Sequence, residues 1–177
     1  MAREKGQSGA ATPERVKAET DMGHWVFRAH VIDRAGALTS IASAFSNEGV
    51  SIDTVVGHGF EERAGVDGSV VLTFCCSEGE KDVMVRKVKR LGKVISLQEH
   101  PYEAQHLRKS AIILTTRLLM PRDLAGEEAV LTTELVCHDA NGWTYFLAAS
   151  PSELDPVLET LETAGIVKDI IYSIVSL

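Results

Sequence analysis

The chain has 177 residues, 45% of them hydrophobic and 24% charged, with a formal net charge of −7. A chain of this length buries about two-thirds of its unfolded surface, so it needs no disulfide or metal to fold, and it accommodates one large or two small domains. The acidic balance argues against nucleic acid, whose phosphate backbone is held by clustered Lys and Arg, and no run of about 18 apolar residues offers a membrane span.

Residues 1–22 are polar and small, lack the apolar stretch of a signal peptide, and are expected to form a flexible tail. Over 25–32, Trp25, Phe27, Ala29 and Val31 alternate with Arg28 and His30, which predicts a half-buried strand. A turn at Asp33-Arg34-Ala35-Gly36 follows. Leu38, Ile41, Ala42 and Phe45 then form the stripe of a core-facing helix, which Gly49 ends by the left-handed route open to glycine. Val50, Ile52, Thr54 and Val56 share one face of a second strand. The glycine-rich stretch 57–68 is a loop, 69–76 a third strand, 80–91 a helix closed by Gly92, and 94–97 a fourth strand. The order β-α-β-β-α-β is that of the ferredoxin-like α+β fold, with two helices on one face of an antiparallel sheet.

A polar linker is expected at 101–109, after which a related pattern resumes. Strands are predicted at 111–118, 131–138, 143–149 and 166–175, with a tight turn at Asn141-Gly142. A helix over 152–164 buries Leu154, Val157, Leu158 and Leu161. Ser152 with Asp155 resembles a capping box, and Pro156 is tolerated if it lies in the first turn. Gly68 and Gly142 are 142 − 68 = 74 positions apart, and Gly92 and Gly165 are 165 − 92 = 73 apart, a near-constant offset that argues for duplication. Its weak point is 121–130, which contains Gly126 and predicts only a short, poorly formed helix. The expected organisation is a tail at 1–22, a first domain at 23–100, a linker at 101–109 and a second, degenerate domain at 110–177.

The turn Asp33-Arg34-Ala35-Gly36-Ala37-Leu38 carries the most chemistry. A glycine at a strand-to-helix junction lets a ligand approach the backbone, and the amides opening the helix suit a carboxylate. Asp33 either accepts a ligand ammonium or caps the helix, and on spacing alone an ordinary capped turn stays open.

This turn, followed by Ile41, Phe45, Gly49 and Ser51-Ile52-Asp53, resembles the ACT domain pattern Asp-x-Pro-Gly-x-Leu, amphipathic helix, Gly-x-Asn-Ile. The match covers about residues 24 to 99. It departs from the pattern at Ala35, in place of proline, and at Ser51, in place of asparagine. Proteins of the ACT family bind small effectors, often amino acids, at interfaces between paired domains. The resemblance implies that role for Asp33, Arg34, Gly36, Ala37, Leu38, Ser51 and Ile52. Within the family, the length and the second half are similar to the regulatory small subunits of acetolactate synthase. That resemblance implies a cytoplasmic, non-catalytic regulator in branched-chain amino-acid biosynthesis, assembled as a homodimer or higher oligomer with a large catalytic subunit.

Other polar residues read as structural. Cys75 and Cys76 point to opposite strand faces and cannot share a metal without help from elsewhere, and Cys137 and His138 diverge in the same way. Free thiols in a reducing cytoplasm are expected, with no cofactor and no metal. His58 is expected to face solvent from its loop, and His100 and His106 show no partner. The run Arg86-Lys87-Lys89-Arg90 is a solvated helix face able to dock on an acidic partner. Three rival functions compete with the regulator. An acylphosphatase-like enzyme needs a glycine-rich phosphate loop around its arginine, which Arg34 lacks. RNA binding by the sheet needs stacking aromatics beside Arg, whereas 69–76 offers only Phe74. A stand-alone tandem-ACT sensor acting on transcription or another enzyme has the same sequence features as the synthase subunit.

Overall fold

The computed structural model describes residues 22–32, 36–58, 68–124 and 131–176. The first half comprises β1 (Met22–Val31), α1 (Ala37–Asn47), β2 (Ile52–His58), β3 (Gly68–Ser77), α2 (Glu78–Lys89) and β4 (Val94–Pro101), with the sheet ordered β2-β3-β1-β4. The second half comprises β5 (Leu107–Thr115), α3 (Pro121–Leu124), β6 (Thr132–Asp139), β7 (Gly142–Ala149), α4 (Pro151–Thr163) and β8 (Val167–Ser176), and repeats that order as β6-β7-β5-β8. All paired strands are antiparallel. Each half is therefore a ferredoxin-like α+β unit, as the periodicities predict.

Phe27 of β1, Phe45 of α1 and Phe74 of β3 form the centre of the first core. Their rings meet edge to face, with centroids 4.7 to 6.1 Å apart, the arrangement that suits aromatic quadrupoles. Alternation on β1 holds: Phe27, Ala29 and Val31 enter this core, with Trp25 packed at its edge. The helix stripe differs from expectation. Ala37, Ile41, Ala44 and Phe45 are buried, whereas Leu38 is 45% exposed and Ala42 only half-buried. Six apolar residues between 37 and 45 permit either rotation of α1, and packing selects the one that places small alanines against the sheet.

In the second half Ile113, Leu147, Leu154 and Leu161 are fully buried. Helix α3 is a single turn, as short as expected, and 125–130 lie outside the described residues. The β6–β7 loop is Ala140-Asn141, one residue earlier than predicted, because Asp139 pairs with Gly142. A Cβ at Gly142 would lie 2.2 Å from the Thr115 carbonyl oxygen, so glycine is needed for that backbone approach. The cap of α4 is also corrected. Ser150 and Glu153 form the capping box, Pro151 opens the helix, and Pro156 therefore lies in the second turn and not the first.

Of the segment 101–109, Pro101 ends β4 and Leu107 to Lys109 open β5. Tyr102 is buried between the halves, in a cluster with Val26 and Val71 on one side and Leu107 and Ile174 on the other. Among the described residues, no helix is long and apolar enough to cross a membrane.

Candidate functional site

The corner after β1 is held from below. The Ile32 amide donates to the Lys93 carbonyl at 2.9 Å, tying the end of β1 to the start of β4. Gly36 then takes φ +84°, a conformation that costs other L-residues about 1–2 kcal/mol, and serves as the N-cap of α1. It has no side chain to cap the first turn. The N-caps of α2 and α4 are serines in complete capping boxes, Ser77 with Glu80 and Ser150 with Glu153. The amides opening α1 thus receive nothing from the side chain of their N-cap residue.

Lys93 adds a cation to this corner: a Cβ on Gly36 would lie 2.9 Å from the Lys93 ammonium nitrogen. Sequence reasoning missed Lys93, which is remote in the chain; its only signal was the glycine before it at the predicted end of the second helix. Ala37 is buried beneath the corner, while the exposed Leu38 side chain leaves an apolar surface beside it. Asp33, Arg34 and Ala35 lie outside the described residues, as do 1–21 and the side chain of His58.

Ser51 and Ile52 sit elsewhere. They line a shallow cavity of about 340 Å³ with Ala42, Phe45, Ser46, Gly49 and Val50, at the C-terminal end of α1. Eleven helical residues separate this place from Gly36, about 16 Å at the helical rise. One copy of the chain therefore does not bring Gly36, Ala37 and Leu38 together with Ser51 and Ile52.

The remaining candidates have local partners. His138 stacks on Trp143 with centroids 4.2 Å apart, and His100, expected to stand alone, meets His106 edge to face at 4.5 Å. Cys76 is buried in the first core, where burial foremost and then Glu80 push its thiol up to about 11. Such a thiol is a poor nucleophile at neutral pH. On the basic face of α2, Lys87 pairs with Glu48, and with Arg90 it lines a groove of about 490 Å³ between α1 and α2.

No family model matches the chain, and no curated protein matches it. Among solved structures, the small subunit of acetolactate synthase from Thermotoga maritima is 12% identical and superposes with a TM-score of 0.64, over 87% of this chain and 96% of that one. The ligand-free regulatory subunit of aspartate kinase from Thermus thermophilus is 11% identical over 80% of this chain and 92% of that one. Its TM-score is 0.45. The first likeness is one of fold: the two tandem ferredoxin-like units of this chain superpose on the small subunit over most of the length of both.

Proposed function

We propose that the chain is a cytoplasmic, non-catalytic regulator that binds an amino acid between paired first domains and thereby modulates an enzyme, acetolactate synthase of branched-chain amino-acid biosynthesis. The observation that carries the reading is the corner at Gly36. A left-handed glycine that brings no side chain to the N-cap of α1, with the positive charge of Lys93 near it, suits the carboxylate of a small zwitterion. The fold shared with the acetolactate synthase small subunit supports the choice of partner.

The separation of Gly36 from Ser51 supports pairing. A ligand the size of an amino acid cannot touch both ends of α1, so a site using both takes Gly36 to Leu38 from one copy and Ser51 and Ile52 from another. Such a ligand binds the paired state and not the single copy. That differential affinity is what shifts an assembly equilibrium and with it a bound enzyme. For that enzyme or a second copy, the outer face of the second sheet offers a cross-strand row of Phe146, Ile112 and Ile171, with Ile112 50% and Ile171 70% exposed.

Calorimetric titration with valine, leucine and isoleucine tests the site. Gly36→Asp places a carboxylate against the ligand's own and abolishes binding, while Gly36→Ala carries the same backbone strain without the charge and binds more weakly but measurably. Equal affinity in the parent and Gly36→Asp would move the site elsewhere. Purification from the native host tests the partner, which is expected to be a large catalytic subunit retained with the chain.

A further inference from the structure

A second constellation lies at the opposite end of the first sheet. His24 of β1 stands directly across from Cys75 of β3, so strand alternation sends both side chains to the same face. That face is the outer one, since Phe74 and Cys76, the neighbours of Cys75, enter the core. Asp53 reaches the same place through a bulge. Ile52 pairs with Phe74 and Thr54 with Thr73, which leaves Asp53 as the extra residue of β2.

The donor atoms converge. His24 Nε2 lies 3.3 Å from Asp53 Oδ2, Cys75 Sγ lies 3.8 Å from the same oxygen, and all three are within 4.8 Å of one another. A tetrahedral ion with bonds of about 2.0–2.3 Å holds its ligand atoms roughly 3.3–3.7 Å apart. The imidazole is oriented for this. Tyr102 stacks on it at 3.6 Å with planes 14° from parallel, and the Tyr102 amide donates to the His24 carbonyl at 2.9 Å. His24 Nε2 is shielded from solvent and, among the described residues, has no hydrogen-bond partner of good geometry, with Asp53 Oδ2 3.3 Å away.

We infer that His24, Asp53 and Cys75 form a binding site for a zinc-like divalent cation, with the fourth coordination position open. Nitrogen, carboxylate oxygen and thiolate together select a borderline-soft ion over magnesium or calcium, which take oxygen ligands. Binding exchanges the Cys75 thiol proton for the metal: an S–H bond breaks, an S–metal bond forms, and one proton leaves to solvent. The ion would cross-link β1, β2 and β3 immediately after Ser51 and Ile52, fixing the entry of β2.

The test uses the untagged full chain, stripped of metal, titrated with cobalt(II) alone and then with zinc alone. One cobalt per chain is expected, with intense tetrahedral ligand-field bands and a near-ultraviolet thiolate-to-cobalt charge-transfer band, both bleached by one equivalent of zinc. Cys75→Ser, a near-isosteric change at an exposed position, removes the charge-transfer band and weakens zinc binding well beyond the ~10–100-fold loss typical of an outer-shell change. His24→Gln independently weakens the ligand-field bands and zinc affinity, and Cys137→Ser leaves both unchanged. Circular dichroism confirms that each variant is folded. A cobalt complex without the thiolate band, or one that survives in Cys75→Ser, overturns the assignment.

Discussion

Tyr102 lies face to face with His24, across the boundary between the two halves, and its hydroxyl accepts a hydrogen bond from Lys109 at 3.2 Å. Lys109 is buried, its ammonium 2.5 Å from Asp155 Oδ1 of α4 and 4.1 Å from the centre of the Tyr172 ring. One short connection thus ties β1 of the first half to β5, α4 and β8 of the second. The halves share a polar contact as well as the apolar cluster around Val26, Val71 and Leu107.

A charge held this way responds asymmetrically to mutation. Asp155→Ala strands the buried ammonium and is expected to cost about 1.5–3 kcal/mol, the range for hydrogen bonds to charged groups, because Asp155 itself is partly open to water. Lys109→Met replaces the stem with an apolar chain of similar length and costs much less. Combined with Asp155→Ala it restores stability toward that of Lys109→Met. Urea unfolding of the three variants decides it, and equal losses in both single variants would mean that the ion pair stabilises nothing beyond packing.

The order of elements was legible because it rests on local periodicity. Phe45 on its stripe, Gly49 at φ +70° and the single turn of α3 are all properties of short segments. Lys109 falls in a segment that reads as linker, because its burial depends on Tyr102, Asp155 and Tyr172, which the fold alone brings together. At the corner after β1, Gly36 was legible as a turn residue. Lys93 was not, since only the pairing of β4 with β1 places it there. The same reasoning covers His24, Asp53 and Cys75. Two lie on separate strands and the third is turned outward by a bulge, for which Asp53 gives no sequence signal.

Phe45 is fully buried and meets both Phe27 and Phe74. Truncation removes the aromatic ring and leaves a cavity that two rigid neighbours cannot collapse into. Phe45→Ala is expected to destabilise the fold by about 3–5 kcal/mol, measured by denaturant unfolding. Leu38→Ala, on the same helix but at a position 45% exposed, is expected to cost under about 1 kcal/mol. If the two losses are alike, α1 is rotated relative to the sheet.

His100 titrates below its ordinary range. Burial lowers it first, then the neighbouring His106 and Arg28, and its Nε2 is shielded without a hydrogen-bond partner. The folded state therefore binds this proton less readily than the unfolded chain does. Stability is full above the unfolded value of about 6.5 and falls as the pH drops from there toward the folded pKa. Proton NMR is expected to show the His100 imidazole titrating below a model peptide, and His100→Gln to flatten the loss of melting temperature between about pH 6.5 and 5. A His100 pKa at or above the peptide value would remove this group as a source of acid sensitivity.

The row Phe146, Ile112 and Ile171 runs across β7, β5 and β8 on the outer face of the second sheet. Ile171 is 70% exposed, so a charge there disturbs little of the folded chain, and the melting temperature of Ile171→Glu is expected to match the parent. Across an interface the same carboxylate faces apolar surface and loses water with no partner to replace it, a penalty of several kcal/mol. If this row is an interface, Ile171→Glu, and more so Ile112→Glu/Ile171→Glu, should therefore lower self-association in sedimentation velocity, or retention of the proposed partner enzyme, by a hundredfold or more at about 1.4 kcal/mol per decade. Glu162→Lys on the exposed side of α4 serves as the charge-change control and should alter neither. If the isoleucine variants assemble as the parent does, the apolar row is not an interface, and the pairing proposed from the distance between Gly36 and Ser51 must use the helices or edge strands of the first domain instead.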